Sequence, residues 1–279
     1  MGDSVIKVSY EGRVATVTID NQKKLNALDM DGYYALAKAL REIAQRDDIY
    51  ITIVTGKGRY FSAGADVSSI GNRPQPTSNP DPAPDSDPYR IWLRTFVSNN
   101  LNATRAFTHH PKILIGALNG PAIGLSAALI ASADFVYAAP HAFLLTPFSS
   151  LGLVAEGGSS RALVSRLGPA RANEALLQGK RISCAELVAA GFVNRVFECK
   201  EGDSGAFLAQ VRREVDERLG DHVDGSSLLG IKALVRAPEL DVLDRQNVAE
   251  VFAGLERFAS GVPQEEFRKL ATGKKRHKL

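Results

Sequence analysis

Apolar and polar positions along this chain repeat with two periods, and the changes of period mark its elements. "IKVSY" and "VATVTID" carry β-branched residues at strand spacing and predict a hairpin closing at Glu11-Gly12. The period then lengthens. In "NALDMDGYYALAKALREIAQRDD", Tyr33, Leu36, Leu40 and Ile43 fall on one face of a helix. "YITIVTG", "KILIGAL", "DFVYAA" and "AFLLT" predict further strands, and helices are expected near 89–109, 123–132, 159–167 and 171–178. Strands interleaved with helices predict an α/β fold. Past residue 205 the strand signal stops, and "AFLAQVRREVDERL", "SSLLGIKALV" and "LDVLDRQNVAEVFAGLERFA" each predict a helix. The expected organisation is a core over 1–205 followed by a helical region over 206–279.

Two stretches break the pattern. Residues 71–90 hold six of the chain's 13 prolines and almost nothing apolar. Too little surface can be buried there to offset the entropy of ordering, which predicts a mobile surface loop. Residues 113–133 carry no charge and are long enough to span a bilayer. Asn119-Gly120-Pro121 in their middle is a turn signal, so a buried strand and a buried helix are expected and no membrane span.

Composition changes this picture little. The net charge of +3 is small and partly sits in the tail "KKRHKL", which gives no reason to expect nucleic-acid binding. Cys184 and Cys199 have neither metal-ligand nor disulfide-framework spacing, so free thiols in a reducing compartment are expected. The N-terminus lacks the apolar run of a signal peptide.

The chemistry lies elsewhere. In "LGLVAEGGSS" one carboxylate, Glu156, follows an apolar run and precedes two glycines. An apolar wall disfavours the charged form of a carboxylate and raises its pKa, which suits a group that takes a proton and returns it. The competing reading is a capping carboxylate for the helix beginning near Ser159, since acidic residues favour helix N-termini. In "GRYFSAGADVSSI" the small residues Ser62 to Ala65 follow a strand, and Asp66 can fix a turn. Such a turn lets backbone amides approach a ligand closely, though a tight turn with a helix cap explains the same residues. In "LNGPAIGLSAALIASAD" a second turn follows a strand, and Gly124-Leu125-Ser126 opens a helix whose first amides have no intrahelical partner. Two such turns facing one point make an oxyanion hole, with each donor worth roughly 3–4 kcal/mol to a developing oxyanion.

"NALD" at 26–29, "FSAGAD" at 61–66, "NGPAIGLSAAL" at 119–129 and "PFSSLGLVAEGGSS" at 147–160 resemble, in order and spacing, the motifs of the enoyl-CoA hydratase/isomerase, or crotonase, superfamily. The likeness covers nearly the whole chain and is greatest to the peroxisomal Δ3,Δ2-enoyl-CoA isomerases. It implies a spiral of ββα units with a helical C-terminal region that forms homotrimers, often paired into hexamers. It implies an acyl-CoA thioester substrate, CoA being part of that substrate, and no metal or redox cofactor. The backbone amides of Ala65 and Leu125 would form the oxyanion hole, and Glu156 would be the catalytic base. Ala63, Gly64, Ala65, Asp66, Val67 and Leu125 would line the substrate site, with Asn100 as a polar neighbour of Glu156. Lys23 and Lys24, and also Lys269 and the tail lysines, are candidates for the CoA phosphates. Where hydratases of the superfamily carry two glutamates, this chain has Ala128 and Phe148, which cannot move protons. The resemblance therefore implies a 3-enoyl to 2-enoyl isomerase rather than a hydratase, with another acyl-CoA reaction or a non-enzymatic thioester-binding protein as alternatives.

His277-Lys278-Leu279 resembles the small–basic–Leu peroxisomal address, so an import receptor and the peroxisomal matrix are expected. Other constellations are weaker. Ser126 lacks the last glycine of a hydrolase elbow. Adjacent His109 and His110 suit a surface better than a metal, and His141 reads as structural.

Overall fold

The computed structural model describes residues 4–66 and 87–275. Val67, most of the proline-rich stretch and the tripeptide His277-Lys278-Leu279 lie outside the described residues.

The hairpin forms as the alternation predicts. β1 (Ile6–Glu11) pairs antiparallel with β2 (Val14–Ile19), Ile6 opposite Ile19 and Glu11 opposite Val14. α1 (Met30–Ala44) starts at Asp29, whose carboxylate accepts from the Gly32 amide, and buries Tyr33, Leu36, Leu40 and Ile43. β3 (Ile51–Gly56) is buried along its whole length, as is β4 (Ile113–Leu118), and the two pair in parallel. Between them come α2 (Pro88–Trp92), one π-helical turn (Leu93–Val97) and α3 (Ser98–Thr108). Of the overlap between the expected loop (71–90) and the expected helix (near 89–109), the helix takes all: α2 begins at Pro88.

β5 (Ala122–Ile123), α4 (Leu125–Ile130), β6 (Phe135–Ala138) and β7 (Phe143–Leu145) follow. α5 (Ser159–Leu176) is kinked at Gly168 (φ 73°, ψ 161°) ahead of Pro169, which explains why the sequence predicts two helices there. β8 (Ile182–Ser183), α6 (Cys184–Ala189) and β9 (Arg195–Val196) complete the strand-bearing part. One sheet runs β1-β2-β3-β4-β6-β9 and a smaller one β5-β7-β8. The expected α/β architecture is present, and the uncharged 113–133 stretch is a strand, a turn and a helix inside the core. No helix among the described residues is long and apolar enough to cross a membrane.

α7 (Ser204–Leu219), α8 (Gly225–Ala259) and α9 (Val262–Ala271) form the C-terminal helical region. The two helices expected over 226–259 are a single helix of 35 residues that runs through Pro238. Proline frees the carbonyl four residues back. That residue, Leu234, is 78% exposed, so water can satisfy the carbonyl. His110 also departs from expectation: it is buried against Thr52 Oγ1 at 2.8 Å, with its pKa depressed by burial to about 3. His141 is structural as expected, its Nε2 lying 3.1 Å from the Asn119 carbonyl.

The "NALD" segment ties the first layer to the site. Asn26 is fully buried at a left-handed φ of 59°. Its Nδ2 donates to the carbonyls of Lys57 (2.9 Å) and Tyr60 (2.6 Å), and its Oδ1 accepts from the Asn21 amide (2.9 Å). Asparagine tolerates the left-handed region better than most residues, and the amide supplies both donors and acceptor. Asn26→Ala removes three bonds and strips the Lys57 carbonyl of its donor, while Tyr60 keeps only the longer bond from Asn119 Nδ2 (3.2 Å); urea unfolding is expected to show a loss of about 2 kcal/mol or more.

Candidate active site

Two chain reversals meet beneath one cleft. Ser62 bridges Ala122 in parallel, with the Ile123 amide donating to the Ser62 carbonyl at 2.9 Å. Continuing that register sets Gly64 beside Gly124 and Ala65 beside Leu125. Gly64 has φ 87°, and a Cβ there would lie 2.6 Å from the Ile123 carbonyl oxygen, so only glycine permits the approach. Hydroxyls lock the pair from below. Ser62 Oγ lies 2.9 Å from Ser126 Oγ, which lies 3.0 Å from the Tyr33 hydroxyl, and Ser62 Oγ donates to the Asn26 carbonyl at 2.8 Å. Burial raises the pKa of Tyr33, so its hydroxyl keeps its proton.

The amides of this junction are unequally occupied. Ala63 N donates to the Leu25 carbonyl, Gly64 N to Ser62 Oγ, and Asp66 N to the Leu28 carbonyl. Gly124 N donates to the Leu145 carbonyl. Among the described residues nothing accepts from Ala65 N or Leu125 N. Both residues line the cleft. Two donors are thereby left for a ligand oxygen, while Ala63 and Gly64 shape the turn without lining the wall.

Glu156 lines the same cleft, a cavity of about 700 Å³ including its open mouth. Gly157 (φ 70°) and Gly158 (φ 75°) turn the chain directly after it. A Cβ on Gly157 would lie 2.8 Å from Leu125 Cδ1 and 2.9 Å from Ala128 Cβ, so the glycine seats this turn on α4. The capping alternative for Glu156 is not what the structure uses. The amides of Gly158 and Ser160, at the start of α5, donate instead to Glu250 on α8, at 2.7 and 2.8 Å. Glu156 is left to accept one bond, from Asn100 Nδ2 at 2.9 Å. Its pKa is pushed up to about 8, first by burial and then by the charge of Glu250, against the lowering effect of the Asn100 bond.

The remaining wall is apolar. Trp92 stacks on Phe258 with ring centroids 4.4 Å apart, Phe96 lies 4.7 Å from the same ring, and Phe267 of α9 adds a fourth aromatic side. Gly254 makes room for this, because a Cβ there would meet the Phe96 ring at 2.8 Å. Two further carboxylates stand at the cleft, both engaged: Asp29 caps α1, and Asp66 pairs with Lys24 at 2.5 Å. Lys23 is exposed beside Lys24, and Lys269 pairs with Glu266 at 2.7 Å. Sequence reasoning missed Tyr33, Trp92, Phe96, Phe258, Phe267 and Glu250. Tyr33 was legible only as a core position, and the others sit on helices whose patterns give no sign of facing a cleft.

The enoyl-CoA hydratase/isomerase family model matches residues 9–204. The chain belongs to this family. It is 59% identical to the Delta(3,5)-Delta(2,4)-dienoyl-CoA isomerase of Pyricularia oryzae, covering 99% of both chains. It is 36% identical to the 3,2-trans-enoyl-CoA isomerase of Saccharomyces cerevisiae, covering 98% of this chain and 97% of that one. The crystal structure of an enoyl-CoA hydratase/isomerase from Pseudoalteromonas atlantica superposes with a TM-score of 0.81 at 26% identity, covering 99% of this chain and 100% of the other. The architecture is that of the crotonase superfamily with a helical C-terminal region, as the sequence motifs imply.

The Asn100 amide favours the ionised form of Glu156. In Asn100→Ala, the Glu156 carboxyl should titrate above its wild-type position near pH 8. The carboxyl resonance of δ-13C-glutamate-labelled protein, assigned with Glu156→Gln, reads this directly; an unmoved or lowered titration would show that the bond does not matter.

Proposed function

We propose that this protein is a Δ3,Δ2-enoyl-CoA isomerase, converting 3-cis or 3-trans enoyl-CoA to the 2-trans isomer in β-oxidation of unsaturated fatty acids. The amides of Ala65 and Leu125 donate to the thioester oxygen. The Glu156 carboxylate takes a proton from C2; the C2–H electron pair passes toward the thioester, giving a dienolate whose oxygen the two amides stabilise. The protonated Glu156 then returns its proton to C4. The C3–C4 π pair forms the new C4–H bond, the C2–C3 double bond forms, and the thioester carbonyl is restored. The step neither oxidises nor reduces the substrate, and the apolar aromatic wall offers water no hydrogen-bonding partner beside the reacting carbons.

The observation that carries this reading is the solitude of Glu156. It is the one cleft carboxylate, among the described residues, held by neither a cation nor a helix start. C2 and C4 are 1,3-related carbons, within reach of one carboxylate. A base poised near neutral pH serves both half-reactions. Ala128 and Phe148, buried at the positions where hydratases carry glutamates, supply no second acid for adding water.

A second reading has its own support. The Pyricularia oryzae relative is a dienoyl-CoA isomerase by name, and that reaction moves a proton from C2 to C6. One carboxylate spans that distance poorly, which is why the 3-enoyl reading is preferred.

Ultraviolet detection of 2-enoyl-CoA formed from 3-hexenoyl-CoA should show turnover by wild type and a loss of about 100-fold or more in Glu156→Gln with the fold intact. Equal activity of the two proteins removes Glu156 from the chemistry. A kcat/KM higher for 3,5-dienoyl than for 3-enoyl thioesters transfers the assignment to the dienoyl reaction.

We also propose that His277-Lys278-Leu279 addresses the protein to the peroxisomal matrix. A fluorescently tagged chain lacking these three residues should be diffuse in the cytosol, whereas retained punctate staining would exclude the tripeptide as the address.

A further inference from the structure

Glu250 is a buried carboxylate that the reaction above does not use. It lies on α8, is 5% exposed, and no cation pairs with it among the described residues. Its oxygens accept from Gly158 N at 2.7 Å, Ser160 N at 2.8 Å and Ser160 Oγ at 2.5 Å. Gly158 stands two residues beyond Glu156, so these bonds grip the turn that aims the Glu156 carboxylate. The nearby cations are committed elsewhere: Arg161 to Glu239 at 2.9 Å, and Arg257 to the Gly152 carbonyl at 2.8 Å.

We propose that Glu250 is the positioning residue of this site, anchoring the Glu156 turn from the C-terminal helix and setting a second, ionised carboxylate behind Glu156. Three donors address Glu250 and one addresses Glu156, so with rising pH Glu250 ionises first and Glu156 second. The other groups facing Glu156 do not alter this order. From α1 come Tyr33, neutral, and Asp29, engaged as a cap; from the 63–66 turn comes Asp66, neutralised by Lys24; from α3 comes the uncharged Asn100. Burial of Glu250 itself opposes its ionisation, and its hydrogen bonds to Ser160 and Gly158 offset that cost. The consequence is a proton shuttle whose working pH depends on a residue that need not touch substrate.

This inference rests on the isomerase reading for its kinetic test, and a second measurement is independent of it. In Glu250→Gln the charge is removed with little change of shape, so the acid limb of the kcat/KM–pH profile with 3-hexenoyl-CoA should move down by about half a unit or more. In Glu250→Asp the charge remains but the reach is shorter, so kcat should fall while the acid limb stays at its wild-type position. An unmoved limb in a folded Glu250→Gln protein overturns the proposal. Should that variant fail to fold, the wild type decides. With δ-13C-labelled glutamate, the Glu250 carboxyl should titrate first and then register the ionisation of Glu156 as a second, smaller step. Independent single titrations, or ionisation of Glu156 before Glu250, overturn the proposal. Wild-type protein inactive on 3-enoyl thioesters would sink the isomerase reading alone, because the titration reads the pair without turnover.

Discussion

The site depends on the contact between two backbones at Gly64 and Ile123-Gly124. A parallel bridge two residues earlier, between Ser62 and Ala122, fixes their register, and the absence of a side chain at Gly64 lets the chains close to the distance that register demands. Once they close, hydrogen bonding at the junction becomes a matter of counting. Ala63, Gly64, Asp66, Ile123 and Gly124 each find an acceptor in the protein, while Ala65 and Leu125 find none among the described residues. An amide left bare in an apolar cleft is costly, and the cost is recovered when a ligand oxygen arrives. The hydroxyl chain of Ser62, Ser126 and Tyr33 keeps the two turns from separating, and so holds both donors fixed before any substrate binds.

The carboxylate opposite these donors obeys a different constraint. A glutamate just ahead of a helix would ordinarily be drawn to the free amides at its start and would be a stronger acid for it. Glu250 reaches in from α8 and occupies those amides, so Glu156 is denied them and keeps only the Asn100 bond. The C-terminal helices therefore help to build the cleft as well as the packing: α8 supplies Phe258 and the Glu250 that holds the Gly158 turn, and α9 supplies Phe267.

What could be read from the chain beforehand follows from the range of each interaction. The oxyanion-hole candidates were legible because the turns that free Ala65 and Leu125 are written in adjacent small residues. Glu156 was legible because a lone carboxylate between an apolar run and two glycines is locally odd. Asn100 was placed by resemblance, and its bond to Glu156 accords with that placement. Glu250 had no such signal. In "NVAEVFAGLERF" it looks like any helical glutamate, and its partner amide lies 92 residues away. The continuity of α8 through Pro238 was hidden for the same kind of reason: a proline's effect on a helix depends on whether water reaches the freed carbonyl, which is a property of the folded surface. The buried state of His110 likewise depends on Thr52, which a local pattern cannot pair with it.

The two apolar substitutions in the family motifs show how little separates one reaction from another on this scaffold. Adding water to a double bond needs a group to activate the water and a group to protonate carbon, both held in place at once. Ala128 removes one such position and uses the space it leaves to seat Gly157, since the would-be Cβ of that glycine already lies 2.9 Å from Ala128 Cβ. Ala128 thus offers no acid where it seats the Glu156 turn, which favours the proposed transfer of one proton within one substrate over the addition of water.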